Sequence, residues 1–294
     1  MNTHNIDHRA LIDACAQAGL NPDGAQPLRL GENALYRLPH GVVVRLSRPG
    51  RAVTARKEVA VARWLARHDV PAVRALDIPN PVETHGRAAT FWTELPEHRH
   101  GTPIEIAAAV RRLHELPIPD DVFLEPLDPF VRLTDRVDGA TALSEDDRKW
   151  LRHHITTLRD RHADLPAGLP VCVIHGDAWD GNVVTTTDGH TVLLDLERTA
   201  IGPPEWDLVS TAVKHLSFGW ITDRDYQDFC HGYGHDVTTW TGYELLRDIR
   251  ELRMTCYLAQ HATEHPSTRR EAQLRVNCLR GRTTPRPWAW TPAT

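Results

Sequence analysis

The stretch of sequence that decides the fold is His175-Gly176-Asp177-Ala178-Trp179-Asp180-Gly181-Asn182-Val183, with Leu193-Leu194-Asp195-Leu196-Glu197 ten residues further on. Asp177 is followed five positions later by Asn182, and Asp195 lies 13 positions beyond that. Asp and Asn beside Gly are ordinary turn formers, and each alone would indicate only a turn. The combination of His-Gly-Asp, the step to Asn and a second strand ending in Asp indicates a catalytic site instead.

The apolar runs around these polar residues predict short strands. Val171-Cys172-Val173-Ile174 is rich in β-branched residues and enters the loop as a buried strand. Val183-Val184 leaves the loop, and a turn at Asp188-Gly189 returns the chain as Thr191 to Leu194. A strand, a loop and a hairpin would bring the two carboxylates and the amide into one site.

Two carboxylates and one amide are the groups that phosphoryl transfer requires. In such sites one Asp accepts or orients the proton of the acceptor hydroxyl, which assigns that role to Asp177. An Asn and a second Asp hold Mg²⁺ against the nucleotide phosphates, which assigns the metal to Asn182 and Asp195. Because Mg²⁺ prefers oxygen ligands and keeps few protein contacts, these two residues suffice. The motif therefore indicates a phosphotransferase that uses ATP and Mg²⁺.

These motifs resemble those of the aminoglycoside phosphotransferase and choline kinase superfamily, whose members share the protein-kinase-like fold. The resemblance covers most of the chain, and its specific motifs lie between His175 and Asp207. It implies an α+β, two-lobed fold. A small lobe with an antiparallel sheet would span residues 1–95, and a larger, mostly helical lobe would span residues 96–294.

The same resemblance assigns a cation and its partner in the small lobe. In the family a helix carries a Glu that pairs with the cation on the preceding strand, which here implies Glu58 and Arg45. The better-known pattern has Lys on that strand, but Arg keeps the charge and can bind phosphate through two hydrogen bonds. The alternative is that Arg45 is an exposed cation at a strand end. Lys57 points off another face of the helix and is expected to be solvated.

Two further segments of the small lobe correspond to nucleotide contacts of the family. Gly31 and Asn33 occupy the place of a phosphate-covering turn, although a plain hairpin turn fits this segment as well. Residues 88–96 form the last strand and run into a hinge, where the resemblance implies that main-chain groups of Glu94 and Leu95 bind adenine. Pro96 cannot donate because it lacks a backbone N–H.

Other polar residues near the motif are candidates for supporting roles. Glu197 follows Asp195 by two positions, so on a strand both would face the same way. In relatives resembling choline kinase such a Glu supports metal or acceptor; a simple strand-end carboxylate is the alternative. Asp180 could face a cationic acceptor or solvent, and Asp207 could hydrogen-bond the catalytic loop or touch substrate. His175 is expected to be a buried strut that donates to the backbone near Asp195.

Length and composition are those of an ordinary globular protein. The 294 residues allow one large core or two lobes, and 41% of them are hydrophobic and 25% charged. No apolar run is long enough for a membrane span, and the N-terminus lacks a secretory signal, so a cytoplasmic location is expected. Nothing resembles a basic stripe that would bind nucleic acid.

Charge is distributed unevenly along the chain. Residues 1–95 contain 12 basic and 9 acidic residues, whereas residues 96–294 contain 22 and 30, which gives net charges of +3 and −8. This asymmetry suits a nucleotide in the first part and a cationic acceptor in the second. An ordinary solvated surface is the alternative.

Hydrophobic periodicity predicts several helices: residues 7–18, 52–68, 103–116, 145–162, 205 onward and 243–260. Residues 117–141 are rich in Pro and Asp and are expected to form a loop. Residues 283–294 contain three prolines and are expected to be a tail rather than a packed element.

The sequence thus favours an enzyme that moves the γ-phosphate of ATP to a hydroxyl group of a small molecule. The leading acceptor is a cationic antibiotic such as an aminoglycoside, and a metabolic kinase of an amino alcohol or sugar is the second interpretation. Arg45 and the sparse glycine turn also allow a nucleotide-binding pseudokinase with a scaffolding role. No Ala-Pro-Glu motif follows Asp195, which argues against a protein substrate. The sequence does not indicate an oligomeric state.

Overall fold

The computed structural model describes residues 3–30 and 33–292, which form an α+β chain as predicted. Its helices within these residues are α1 (Thr3–Ala18), α2 (Ala52–Arg67), α3 (Pro103–His114), α4 (Leu133–Gly139), α5 (Glu145–His162), α6 (Glu205–Leu216), α7 (Asp223–Tyr233), α8 (Tyr243–Glu264) and α9 (Arg269–Leu279). Its strands are β1 (Gln26–Leu30), β2 (Ala34–Leu38), β3 (Val42–Leu46), β4 (Val82–Thr84), β5 (Arg87–Thr93), β6 (His98–His100), β7 (Cys172–Ile174), β8 (Val183–Thr186), β9 (Thr191–Leu193) and β10 (Ala200–Gly202).

The chain divides into two compact units, and each is discontinuous in sequence. Unit 1 contains the residues up to Glu125 together with His175–Ile201. Unit 2 contains Pro126–Ile174 and the residues from Gly202 onward. The predicted catalytic and metal residues therefore fold with the N-terminal strands in unit 1. The lobe boundary at residue 95 stays a prediction.

Unit 1 is built on an antiparallel sheet of five strands in the order β1-β2-β3-β5-β4. Side chains alternate between its two faces, so that every second residue of β2 is buried. Helix α1 packs on this buried face, where Leu11 and Cys15 join Val44, Leu46 and Phe91 in one core. Strand β1 forms the edge of the sheet and is exposed along its whole length.

Helix α2 covers another part of unit 1. It buries Val59, Ala62 and Leu65, which recur every three residues and so form one apolar stripe. Glu58 is also buried on this helix, although it carries a carboxylate. A buried carboxylate requires a compensating partner, and the strand beside the helix supplies one.

A second antiparallel sheet of unit 1, in the order β6-β8-β9, carries the predicted hairpin. Val183 lies opposite Leu193, and one further bond from the N–H of Leu194 to the carbonyl of Asn182 extends the pairing. The assumption that a strand continues through Asp195 and Glu197 is wrong. Asp195 adopts a left-handed conformation, with φ of 51°, and residues 196–198 form a 3₁₀ helix. The two side chains therefore do not follow the period of a strand.

Unit 2 is mostly helical, with α8 at its centre. Helix α8 packs against α4, α5, α6 and α9. It buries Leu246, Ile249 and Leu252, and near its middle Cys256 and Ala259 continue the same core. None of the described helices combines the length and apolarity needed to cross a lipid bilayer.

Two expectations about unit 2 are wrong. The expected loop at residues 117–141 contains α4, a short helix that buries Leu133 and Val137 one turn apart. The expected tail at residues 283–294 is packed as far as it is described, because Trp288 and Trp290 are buried. Trp290 stacks on Phe218 with ring centroids 4.6 Å apart. The apolar area that the two indole rings bury holds this segment against the core, although its backbone is irregular and rich in proline.

Candidate active site

The loop that begins at His175 is held by hydrogen bonds to both nitrogens of this buried imidazole. Its Nε2 donates to the carbonyl of Leu194 at 2.8 Å, and its Nδ1 accepts the N–H of Asp177 at 3.3 Å. These partners define one neutral tautomer, with the proton on Nε2. The contact expected for His175 is present, and it joins Asp177 to the residue that precedes Asp195.

Gly176 is required by this loop. Its φ is +81°, a left-handed conformation that side-chain-bearing residues rarely adopt. A Cβ at this position would also collide with the carbonyl oxygen of Arg198. The glycine of the His-Gly-Asp motif therefore lets the loop pass directly against the chain that follows Asp195.

Asn182 connects Asp177 to the hairpin. Its Nδ2 donates to the carbonyl of Asp177 at 3.0 Å and lies 3.5 Å from the carboxylate Oδ2 of the same residue. Its backbone N–H donates to the carbonyl of Trp179 at 2.8 Å, and its carbonyl accepts the N–H of Leu194. Because Nδ2 is engaged, Oδ1 is the atom of this amide that is left to bind a cation.

Asp195 lies near two other carboxylates, so a cation bound here would be stabilised. Burial raises the pKa of its carboxyl, and the negative charges of Glu197 and Asp177 raise it further, against the lowering effect of Arg45. Among the described residues, no group of three or more His, Cys, Asp or Glu side chains forms a metal centre by itself. An amide oxygen and a carboxylate fit Mg²⁺, which completes its shell with phosphate oxygens and water.

Arg45 and Glu58 form the ion pair expected between β3 and α2. Arg45 Nη1 donates to Glu58 Oε1 at 2.8 Å, and both side chains are largely buried. Burial opposes the charge on Arg45, but the carboxylates of Glu58, Asp195 and Glu197 raise its pKa. Burial, together with the other two carboxylates, raises the pKa of Glu58 to about 7. Arg45 is thus a fixed cation that several carboxylates share.

Glu197 contacts cations of the first hundred residues. Its Oε2 lies 3.3 Å from Nη2 of Arg45 and 3.7 Å from Nη2 of Arg51. The role of Glu197 in supporting a metal ion or the acceptor remains a prediction.

Lys57 is not solvated as expected, since its Nζ donates to the carbonyl of Thr199 at 3.2 Å. Burial lowers the pKa of this ammonium, despite the charges of Glu125 and Glu197. The helix α2 is thereby bonded to the segment that follows Asp195.

The segments expected to bind the nucleotide lie at the ends of strands. Glu94 follows β5, its N–H donates to the carbonyl of Gly41, and its carboxylate accepts from Nε of Arg37 at 2.5 Å. Leu95 is the next residue. The chain therefore leaves the sheet at the position of the predicted hinge. Asn33 lies immediately before β2, whereas Gly31 lies outside the described residues. The nucleotide contacts of these residues stay predictions.

The middle of the catalytic loop carries an exposed aromatic residue. The indole of Trp179, which is 38% exposed, lies over Gly181, where a Cβ would come within 2.7 Å of three ring atoms. His100 meets the indole edge-on at 6.4 Å, and its Nδ1 lies 3.6 Å from the carboxylate of Asp180. Strand β6 delivers His100 to this position because it pairs with Val184 of β8.

Asp207 belongs to unit 2, where it is buried at the start of α6. Its supporting role also stays a prediction.

Two features of the site were missed by the sequence-based interpretation. Arg51 precedes Glu58 by seven positions, which is two helical turns, so this spacing could have placed it on the same face. Trp179 carries no periodic signal, and only its place inside a catalytic loop singles it out.

Comparisons with known proteins agree with this geometry. A family model described as "Phosphotransferase enzyme family" (APH) matches residues 26–247. No functionally curated protein matches the chain. Among solved structures, the amicoumacin kinase hAmiN, in complex with AMP-PNP, Ca²⁺ and Ami, is 13% identical, with a TM-score of 0.68 over 93% of this chain and 96% of its own.

Two other solved structures are similar to the chain. The aminoglycoside phosphotransferase APH(3'')-Id from Streptomyces rimosus ATCC10970 is 20% identical, with a TM-score of 0.61 over 84% of this chain and 99% of its own. A choline/ethanolamine kinase family protein from Mesorhizobium loti is 18% identical, with a TM-score of 0.61 over 95% and 94%. These likenesses confirm the predicted kinase-like fold.

Proposed function

Because the chain belongs to the phosphotransferase enzyme family, we propose that it transfers the γ-phosphate of ATP, with the help of Mg²⁺, to a hydroxyl group of a small molecule. The observation that carries this proposal is the hydrogen bonding of Asn182 to Asp177 on one side and to Leu194, next to Asp195, on the other. These contacts tie the segments that carry Asp177, Asn182 and Asp195 to one another within unit 1, which supports a shared site.

Each residue has a separate task in this mechanism. Asp177 orients the acceptor hydroxyl for in-line attack and accepts its proton. Bound by Asn182 Oδ1 and Asp195, Mg²⁺ would neutralise charge on the phosphates. Arg45 binds phosphate oxygens and is itself held by Glu58. The rate enhancement comes from positioning and electrostatics rather than from a covalent intermediate.

The acceptor that we propose is a hydroxylated molecule with protonated amines, such as an aminoglycoside. Support comes from Trp179 and Asp180, an exposed indole and a half-buried carboxylate within three residues of Asp177. An indole face and a carboxylate both attract an ammonium group. One of the similar structures is an aminoglycoside phosphotransferase and another belongs to the choline/ethanolamine kinase family, which agrees with a cationic acceptor.

The test is an acceptor screen with purified full-length protein. ATP or GTP with Mg²⁺ would be offered with aminoglycosides, choline, ethanolamine and neutral sugars, and phosphorylated products would be identified by mass spectrometry. Choline and its neutral isostere 3,3-dimethylbutan-1-ol form a matched pair that isolates the charge. We expect a cationic alcohol to be phosphorylated and its neutral counterpart to be a poorer acceptor.

Other outcomes would select other functions. Resistance of a sensitive bacterial host that expresses the protein would identify an antibiotic as acceptor, whereas turnover of an amino alcohol or a sugar without resistance would identify a metabolic kinase. Tight nucleotide binding without turnover of any acceptor would contradict the proposed activity and favour a pseudokinase.

A further inference from the structure

Two guanidinium groups converge on one carboxylate oxygen beside the metal motif. Nη2 of Arg45 and Nη2 of Arg51 lie 3.3 and 3.7 Å from the same Oε2 of Glu197. Two like charges this close repel one another unless an anion lies between them. In this structure the carboxylate of Glu197 is that anion.

The two arginines are held very differently. Arg45 is 16% exposed and is anchored by a 2.8 Å hydrogen bond to Glu58, which is itself buried. Arg51 is 40% exposed, and its distance of 3.7 Å from Glu197 is an ion pair without a hydrogen bond. Arg45 is therefore fixed by the fold, whereas no hydrogen bond to Glu197 fixes Arg51.

We propose that Arg51 is a second phosphate-binding residue, and that Glu197 occupies the place of a nucleotide phosphate between Arg45 and Arg51 until the nucleotide displaces it. This inference rests on the proposed function, since it assumes that the site binds a nucleotide. A phosphate oxygen can accept from both guanidinium groups at once, as a carboxylate oxygen does. Glu197, on the 3₁₀ helix after Asp195, then turns away from the two arginines.

The inference separates two roles of Glu197. If Glu197 competes with phosphate, removing its charge strengthens nucleotide binding in the absence of metal. If Glu197 only supports a metal ion, removing its charge leaves metal-free nucleotide binding unchanged. Binding of ATP in the presence of EDTA distinguishes the two roles, because no metal is available and no turnover occurs.

The experiment is isothermal titration calorimetry of ATP and of AMP, in EDTA, with the full chain. We expect Arg51→Gln to weaken ATP binding about five- to tenfold, as loss of one charged hydrogen bond to phosphate does. AMP binding should change less than twofold, because AMP lacks the terminal phosphates. A displaced helix α2 would weaken both nucleotides equally. We expect Glu197→Gln to tighten ATP binding severalfold, since it keeps the shape of the side chain and removes its charge.

Arg56→Gln is the matched control. Arg56 lies on the same helix, is more than half exposed and pairs on the surface with Glu83. The Arg56→Gln variant loses the same charge as Arg51→Gln, and it should bind ATP as the wild type does. Equal ATP affinity of Arg51→Gln and wild type, or unchanged or weaker metal-free binding by Glu197→Gln, would overturn the inference. Failure of the wild type to bind ATP with Mg²⁺ would instead reject the proposed function.

Discussion

Asp177 and Asp195 carry the same side chain, but their backbones and neighbours give them different capacities. Asp195 is in a left-handed conformation among carboxylates and Arg45, where it can share a cation. Asp177 is half-buried; its backbone N–H donates to Nδ1 of His175, and its carbonyl accepts from Nδ2 of Asn182. In the proposed mechanism a hydroxyl group approaches Asp177, while Asn182 and Asp195 hold the metal.

Replacement of Asp177 tests this separation. We expect Asp177→Asn to lower phosphoryl transfer by about 10²- to 10⁴-fold, the usual effect of losing a general base. Binding of ATP with Mg²⁺ should change less than about threefold, because Asn182 and Asp195 remain. Asp188→Asn, an equal change of charge in the exposed hairpin turn, is the control. Full activity of Asp177→Asn in the acceptor assay would remove Asp177 from the mechanism.

The contact between Trp179 and Gly181 leads to a second prediction. In Gly181→Ala the new methyl group cannot coexist with the indole in its present place, so we expect the loop to shift and turnover to fall about tenfold or more. In a Trp179→Leu background the same substitution should be nearly neutral, because the ring is gone. Steady-state kinetics of the four proteins measure this coupling. Equal losses in both backgrounds would show that the two residues act independently.

Single residues could be predicted from the sequence where local pattern and chemistry coincide. Asp177, Asn182 and Asp195 lie at short, fixed spacings between apolar runs, and the hydrogen bonds that join Asp177, Asn182 and Leu194 connect residues close in sequence. The partners of Arg45 and Lys57, which are Glu197 in the 3₁₀ helix and Thr199 directly after it, are 152 and 142 positions away. Helical periodicity says which face a residue occupies, but it does not say which distant segment meets that face.

At the scale of elements, the helices that could be predicted are those with a local periodic pattern, and the helix that was missed depends on packing against distant segments. Helices α2, α3, α5 and α8 have long periodic stripes, and the structure contains them near the predicted bounds. Helix α4 has seven residues and starts after Arg132 in a left-handed conformation. Its two buried residues, Leu133 and Val137, are too few to stand out from a proline-rich segment. A short helix is stabilised by packing rather than by its own propensity.

The start of α3 carries a pH-dependent contact. Hydrogen bonds from Arg99, opposed by burial and reinforced by Thr102, lower the pKa of Glu105 to about 2. A lowered pKa adds stability above the ordinary value of 4.5, and that stability is lost as pH falls toward 2.

We expect Glu105→Gln to lower the free energy of unfolding by about 1 kcal/mol at pH 7, the typical value for loss of a helix cap. This difference should shrink as the pH falls below 4.5, and denaturant unfolding at several pH values measures it. Glu115→Gln removes an exposed carboxylate from the end of the same helix and should show no such trend. A difference that is constant with pH would argue against the role of the Glu105 charge.

At the scale of the whole molecule, the C-terminal residues complete the core of unit 2. The carbonyl of Trp290 accepts from Nε1 of Trp220 at 2.7 Å, and Arg275 lies over the Trp290 ring at 4.8 Å. The N–H of Trp288 donates to the carbonyl of Ser217. The sequence could not indicate this packing, because the segment has no periodic pattern and its partners come from the segment that follows α6 and from α9.

Truncation of the second indole measures this contribution. We expect Trp290→Ala to lower the free energy of unfolding by about 3–5 kcal/mol, as is usual for a buried aromatic residue. Phe123→Ala, at a position that is 80% exposed, should change stability by less than about 0.5 kcal/mol. Chemical denaturation monitored by circular dichroism compares the two variants with the wild type. A loss below 1 kcal/mol for Trp290→Ala would mean that this segment is dispensable for folding.

The interleaving of the two units has a consequence for how the protein is made. A ribosome releases residues 1–125 well before the segment 175–201, which carries the predicted catalytic and metal residues and the sheet partner of β6. A nascent chain that stops inside the intervening segment holds Arg45 and Glu58 but lacks the carboxylates of the later loop. Unit 1 is therefore completed late in synthesis, although most of its residues are made before those of unit 2.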